Sequence, residues 1–235
     1  MRNLYFLITL SVILLLVSFH GTQSYFSDSA VSGANTFATA SEFPTNGGAA
    51  PTSAIPSPTG TQVGVGDVVI NEIMWMGTQG DAADEWIELR NMTTNTIDIS
   101  GWVIDNLGSG VTNDIVIPAG KTIAPYSFFM IANDTKATGN HNIDPDHIAN
   151  ISLLNPGEQL ILRVSVDGAI IDIANGTDDW LAGVDPGGQN PERSMERNVI
   201  PGDGTIGTNW HSATTAVNMD IDGREIATPK AANSL

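Results

Sequence analysis

The stretch His141-Asn142-Ile143-Asp144-Pro145-Asp146-His147 gathers two imidazoles and two carboxylates within one short segment. Imidazole nitrogen and carboxylate oxygen both ligate divalent metals, and a metal held that way can activate water for hydrolysis. His141, Asp144, Asp146 and His147 are therefore the first residues to weigh as a metal site, and a metal-dependent hydrolase is the reaction class they would serve. Asn142 and Pro145 mark the same stretch as a surface loop, where polar residues collect without a metal. The polar loop is the preferred reading and no metal is assigned.

A second pattern, Asn218-Met219-Asp220-Ile221-Asp222-Gly223, copies the first half of an EF-hand loop. The twelfth position is Pro229 where a bidentate Glu is needed. Asp222-Gly223 reads better as a hairpin turn between residues 216–221 and 224–227. Asp178, Asp179 and Asp185 could hold calcium weakly, but a polar turn is preferred. Calcium is the only cofactor these groups suggest, and a calcium-dependent adhesion module is the alternative function they define.

Glu85 and Glu88 lie three apart on an expected strand, hence on opposite faces, which suits no shared acid–base work. Both are expected to be solvated. The chain lacks a Gly-x-Ser-x-Gly elbow, a His-Glu-x-x-His helix and a P-loop. Gly64-Val65-Gly66 precedes a strand and lacks a third glycine, the wrong order for a dinucleotide. With no cysteine, thiol catalysis, disulfides and iron–sulfur clusters are excluded. Trp180 and Trp210 are expected to pack, partly buried, rather than to form an exposed binding surface. Nine basic against 26 acidic residues give a net charge of −17, which repels phosphate backbones, so no nucleic-acid partner is expected.

The elements that must position these groups are strands. Short runs rich in Val, Ile, Leu and aromatics alternate with Gly, Asn, Asp and Pro from Asp67 onward. The pattern predicts strands near 68–75, 85–91, 102–105, 114–117, 127–132, 159–164 and 170–174, which describes a β-sandwich. Asp167-Gly168 is the strongest hairpin signal. Alternation points Ile87 and Leu89 inward and puts Trp86, Glu88 and Arg90 on the other face, where Glu88 can pair with Arg90 beside the Trp86 ring. Leu160, Leu162 and Val164 form a second inward set. No amphipathic helix of useful length and no fixed-period repeat is present.

Before the body, Arg2 precedes an uninterrupted apolar run from Leu4 to Phe19. A positive start and that length describe a secretory signal peptide, or a single-pass N-terminal anchor at the short limit. Thr22-Gln23-Ser24 offers small residues where a signal peptidase reads, so cleavage is expected between Ser24 and Tyr25. Residues 25–66 form a linker, with Pro44, Pro51, Pro56 and Pro58 and too little apolar surface to order. The Pro-rich part of it, Ser41 to Gly66, about 25 residues, spans roughly 25–30 Å as a flexible coil. Residues 67–185 are assigned to the sandwich and 186–235 to a C-terminal extension of the same domain.

Two resemblances follow from particular motifs. Gly21-Thr22-Gln23-Ser24-Tyr25-Phe26-Ser27-Asp28, with Gly33-Ala34-Asn35-Thr36-Phe37 after it, resembles the processing region of camelysin-type and biofilm-fibre proteins. The later Gly-Thr-Leu-Asp-Leu strand of that family is replaced here by Ala40-Ser41-Glu42-Phe43, so the likeness supports the export route and not the camelysin body. Val69-Ile70-Asn71-Glu72-Ile73 resembles the opening strand of the bacterial lamin-tail domain. Asp84-Glu85-Trp86-Ile87-Glu88-Leu89 is similar to its second strand. Ile97-Asp98-Ile99-Ser100-Gly101-Trp102 is similar to its next turn and strand. Leu154-Asn155-Pro156-Gly157-Glu158-Gln159-Leu160-Ile161-Leu162 and Asp172 continue the order, and Pro191–Arg197, Asn209-Trp210 and Ala227-Thr228-Pro229 resemble its ends. The usual ending Thr-Pro-Gly-Ala-Pro-Asn becomes Thr228-Pro229-Lys230-Ala231-Ala232-Asn233.

The resemblance implies an all-β, immunoglobulin-like sandwich that mediates protein contacts and carries no catalytic residues. Asn71, Glu72, Trp86, Glu88, Gly101 and Trp102 match the motif and are carried over as structural. The expectation is a bacterial protein, secreted or at the cell surface, not an enzyme, with an extracellular or envelope protein as partner and contact with a membrane only through its N-terminal segment.

Overall fold

The run Val68-Val69-Ile70-Asn71-Glu72-Ile73-Met74 carries apolar residues on both faces, the pattern of a strand covered on two sides, and in the computed structural model all seven residues are buried. The structure describes residues 62–107, 114–176, 179–189, 191–220 and 223–235. Among them the strands are β1 (Val68–Met74), β2 (Trp86–Asn91), β3 (Ile97–Asp98), β4 (Val103–Leu107), β5 (Ile115–Val116), β6 (Thr122–Ile123) and β7 (Phe128–Ala132). They continue with β8 (His147–Ile148), β9 (Gln159–Arg163), β10 (Ile170–Ala174), β11 (Glu192–Arg193), β12 (Met195–Arg197), β13 (Trp210–Ser212) and β14 (Glu225–Ile226). No helix among the described residues is long and apolar enough to cross a membrane.

Two sheets make the sandwich. One has the order β13-β12-β1-β2-β7-β8, the other β10-β9-β4-β5. Two short ribbons, β3 with β6 and parallel β11 with β14, complete it. The architecture is the immunoglobulin-like β-sandwich that the strand pattern and the family motifs imply. The expected strands form close to their expected bounds, and β9 and β10 are joined by the hairpin that carries Asp167 at φ 57 and Gly168. Gly101 takes φ +77 in a turn closed by the Trp102 N–H on the Ile99 carbonyl at 3.1 Å. A side chain at that backbone angle is strained, and glycine is not.

Two bulges set which side chains face the core. In β1, Ile70 lies opposite Leu89 and Ile73 opposite Ile87, with an irregularity at Asn71 between them. Strict alternation cannot turn Ile70 and Ile73 to the same side, because they are three apart; the extra residue shifts the phase. Both isoleucines therefore reach the core that Ile87 and Leu89 share, and Glu72 is left facing the other way, opposite Glu88. In β10 the irregularity between Ile170 and Asp172 has a parallel effect, placing Asp172 opposite the core residue Leu162.

Candidate functional site

On the β1–β2–β12 face that turns away from the sandwich core, three carboxylates stand in a row. Glu72 is the register partner of Glu88 on one side and of Glu196 on the other, and all three are fully buried. The C-terminal segment covers them. Thr228 N–H donates to Glu72 Oε1 at 2.8 Å, and Thr228 Oγ1, with one proton to give, lies 3.1 Å from Glu72 Oε2 and 2.7 Å from Glu196 Oε1. Lys230 N–H donates to Glu88 Oε2 at 2.5 Å. Ser234 reaches Glu196 Oε2 through its N–H at 2.9 Å and through its hydroxyl. Ser194 Oγ to Glu72 (2.6 Å), Asn71 Nδ2 to Glu88 (2.9 Å) and His211 Nε2 to Glu196 Oε2 (3.0 Å) complete the shell. Asn233 donates to the Arg197 carbonyl at 2.7 Å and to the Asn71 carbonyl at 3.1 Å.

Burial, with the charges of Glu88 and Glu196 added, pushes the Glu72 carboxyl well above its ordinary value. Burial raises Glu88 to about 8 against the donors that favour its ionised form. A raised carboxyl in a cleft is a general-acid candidate. Here the acceptors are filled by the chain's own N–H and O–H groups, so the row fastens the tail and has no acceptor turned toward a substrate.

Among the described residues, a buried ion pair joins the two sheets. Arg197 Nη1 and Nη2 reach the two oxygens of Asp172 at 3.1 and 3.2 Å, and Ile70 N–H donates to Asp172 Oδ2 at 2.8 Å. The remaining Arg197 donors go to the carbonyls of Ile70, Pro201 and Gly202, and its guanidinium lies 4.7 Å from the centre of the Trp210 ring. Both bulges serve this pair: one frees the Ile70 amide from the ladder, the other turns Asp172 inward.

The structure corrects several expectations, among them the solvated Glu88, which is fully buried. Glu88 does not pair with Arg90; Arg90 lies instead 5.7 Å from the centre of the Phe128 ring. Trp86, expected beside that pair on an outer face, is 1% exposed, because the sheet is covered on both sides. Glu85 is not solvated: it is buried, accepts the Leu153 N–H at 2.9 Å, and is raised by burial to about 8.

The four residues of the His141–His147 stretch point apart. His141 is buried, with Nδ1 2.9 Å from the Ile143 carbonyl, so it does not sit in an open loop. Asp144 is exposed. Asp146 accepts from Lys230 Nζ and from the Met130 N–H, both at 2.8 Å. His147 lies half-buried in β8, and burial, with Lys121 nearby, holds its imidazole below the ordinary value. No group of three or more His, Asp or Glu side chains among the described residues converges as a metal cage. Trp102 is buried, Trp210 is buried with its N–H on the Gly204 carbonyl at 2.8 Å, and Trp180 stacks on Trp75 at 5.8 Å. Ser24, Tyr25, Asp178 and Asp222 lie outside the described residues.

Sequence reasoning passed over Glu196, Arg197, Thr228 and Ser234. Adjacent Glu196 and Arg197 in the short strand Met195-Glu196-Arg197, all three residues buried, carry no apolar alternation that could have shown their burial. It also passed over a groove of about 610 Å³ bordered by Val65, Val69, Ile170, Ile173 and Ile200. Its one buried carboxylate, Asp172, is engaged by Arg197.

A model of the Lamin Tail Domain family matches residues 61–178, half of the 235-residue chain. A comparison with curated proteins finds no match. The matched stretch contains Asn71, Glu72, Glu88 and Asp172, while Glu196, Arg197 and the tail that complete their contacts come from beyond it. Family match, motif order and sandwich agree, and the chain belongs to the lamin tail domain family.

Proposed function

We propose that this chain is an exported protein, secreted or displayed at the cell surface, that acts as a non-catalytic binding or structural module. The family is a non-enzymatic, immunoglobulin-like fold. The observation that carries the reading is the filled carboxylate row: Glu72, Glu88 and Glu196, three buried acids in register, are held by Thr228, Lys230 and Ser234 of the same chain. Export rests on Arg2 and the apolar run 4–19, with the Pro-rich segment up to residue 66 as a stalk. The partner is an extracellular or envelope protein, in keeping with a net charge of −17 that disfavours nucleic acid.

The test is to express the full chain with a C-terminal tag in a bacterial host, fractionate the cells and treat intact cells with protease. The tag is expected outside the cytoplasm and protease-sensitive. Retention of full-length protein in the cytosol would overturn the export reading. Loss of a hydrolytic activity of the pure protein on Glu88→Gln would overturn the non-catalytic one.

A further inference from the structure

Glu192 and Glu225 are register partners in the parallel ribbon β11–β14, and they are 5% and 1% exposed. Side chains at one register position of paired strands project to the same side, so the two carboxylates face one space. In it, Glu225 Oε1 accepts the Gln79 N–H at 3.3 Å. Glu192 Oε2 and Glu225 Oε2 are buried without a hydrogen-bond partner. The contrast within the molecule is sharp. Glu72, Glu88 and Glu196 are buried as deeply and receive backbone, hydroxyl and amide donors, whereas this pair shares the one Gln79 N–H.

The charge around the pair is negative. Burial holds both carboxyls above the ordinary value, against the Gln79 N–H that favours the ionised form of each; the Glu225 charge, Asp185 and a hydrogen bond from Glu192 to Glu225 add to the rise at Glu192, and Asp220 and Asp84 add to it at Glu225. Arg224, an exposed residue, is the cation that acts on Glu225 in the opposite direction. Asp84 belongs to the same corner: Asn140 Nδ2 bridges Thr78 Oγ1 at 2.5 Å and Asp84 Oδ2 at 3.0 Å. Asp84 Oδ1 and His141 Nε2 are likewise buried without a partner, each in a residue 1% exposed.

Bare, buried, like-charged oxygens need a compensating group, either a proton shared between them or a cation. We propose that Glu192 and Glu225 form a binding site for a divalent cation of the calcium type, where the 78–84 loop meets the β11–β14 ribbon. Oxygen-only donors suit a hard cation and give no preference to zinc or copper. No three His, Asp or Glu side chains among the described residues converge, so carboxylate ligation is limited to these two groups and water would complete the shell. So low a ligand charge sets the dissociation constant at about 0.1–1 mM, the range of extracellular calcium modules. The site is separate from the carboxylate row under the tail and does not depend on the surface-display reading.

Calorimetric titration of the full chain with calcium chloride, near neutral pH and physiological ionic strength, tests this. Wild type is expected to show saturable binding at about 0.1–1 mM. The double variant Glu192→Gln/Glu225→Gln is expected to bind at least about ten-fold more weakly. Asp203→Asn, which removes an exposed charge elsewhere, should bind like wild type. Thermal melts give a second readout: calcium raises the wild-type midpoint and leaves that of the double variant in place. The absence of saturable binding to wild type means that a shared proton compensates the pair, and it overturns the proposal. An equal calcium response in wild type and double variant marks general screening of an acidic surface, and it does the same. If the double variant fails to fold, Glu192→Gln alone decides, and an unchanged affinity there overturns the proposal.

Discussion

Glu72 and Glu88 stand directly opposite each other on neighbouring antiparallel strands, each with no exposed surface, and Glu196 faces Glu72 from the other side. Two buried carboxylates in register resist being ionised together, which is why burial and neighbouring charge raise Glu72 and burial raises Glu88 to about 8. A group whose folded value lies above its unfolded one binds more proton when folded. Its stabilisation is full below about pH 4.5 and is lost as the pH rises through about 8. Denaturant unfolding is therefore expected to show stability falling from about pH 5 to about pH 8, opposite to an ordinary surface carboxylate. Glu88→Gln should flatten the profile in part, since Glu85, also raised to about 8, keeps its own contribution. A stability that rises over that range would contradict the assignment.

The Asp172–Arg197 pair should behave as a buried ion pair between two sheets. Arg197→Met removes the cation and leaves the Asp172 carboxyl enclosed without its partner, and is expected to destabilise by about 3–5 kcal/mol. Asp172→Asn combined with Arg197→Met removes both charges and should cost less than the sum of the two single changes. A double-mutant cycle by urea unfolding measures the difference, and strict additivity would show that the pair is not coupled.

Thr228 fixes the tail to two carboxylates at once. Thr228→Val keeps the shape and removes the Oγ1 hydroxyl that Glu72 and Glu196 share, for an expected loss of about 2–3 kcal/mol by chemical denaturation. Deleting residues 228–235 uncovers the whole row and should cost more, with faster amide exchange in β1 and β12. Unchanged exchange there would show that the tail does not protect the sheet.

Two glycines separate backbone strain from steric conflict. Around Gly101, at φ +77, an added Cβ meets nothing within 4 Å, so Gly101→Ala pays only the left-handed backbone penalty, about 1–2 kcal/mol. At Gly204 the same Cβ would lie 2.0 Å from the Ile173 carbonyl oxygen and 2.5 Å from Arg197 Nη1. Gly204→Ala must move backbone and displace Arg197 together, and its thermal midpoint should fall further than that of Gly101→Ala. The reverse order would count against the packing described around Arg197.

Much of the sandwich was legible in the sequence because strand formation and facing are local. Ile87 and Leu89, two apart, had to share a side, and Leu160 with Leu162 likewise; all four lie in the core. The Asp167-Gly168 turn and the order of family motifs were equally local signals. Glu88 shows where that reasoning stops. Alternation placed it opposite the core and so in water, yet its face is roofed by residues more than a hundred positions later, with Lys230 at its carboxylate.

Residue order alone thus determined the fold class, the inward set of β2 and β9, and the kinship of the stretch around residues 61–178. Tertiary structure decided what covers the second face, how the bulges at Asn71 and between Ile170 and Asp172 turn Asp172 toward Arg197, and which carboxylates receive donors and which stay bare. The physical reason is range. Side-chain alternation is set by the bonds of a few neighbouring residues, whereas the solvation of a buried charge depends on whatever distant segment the folded chain brings against it.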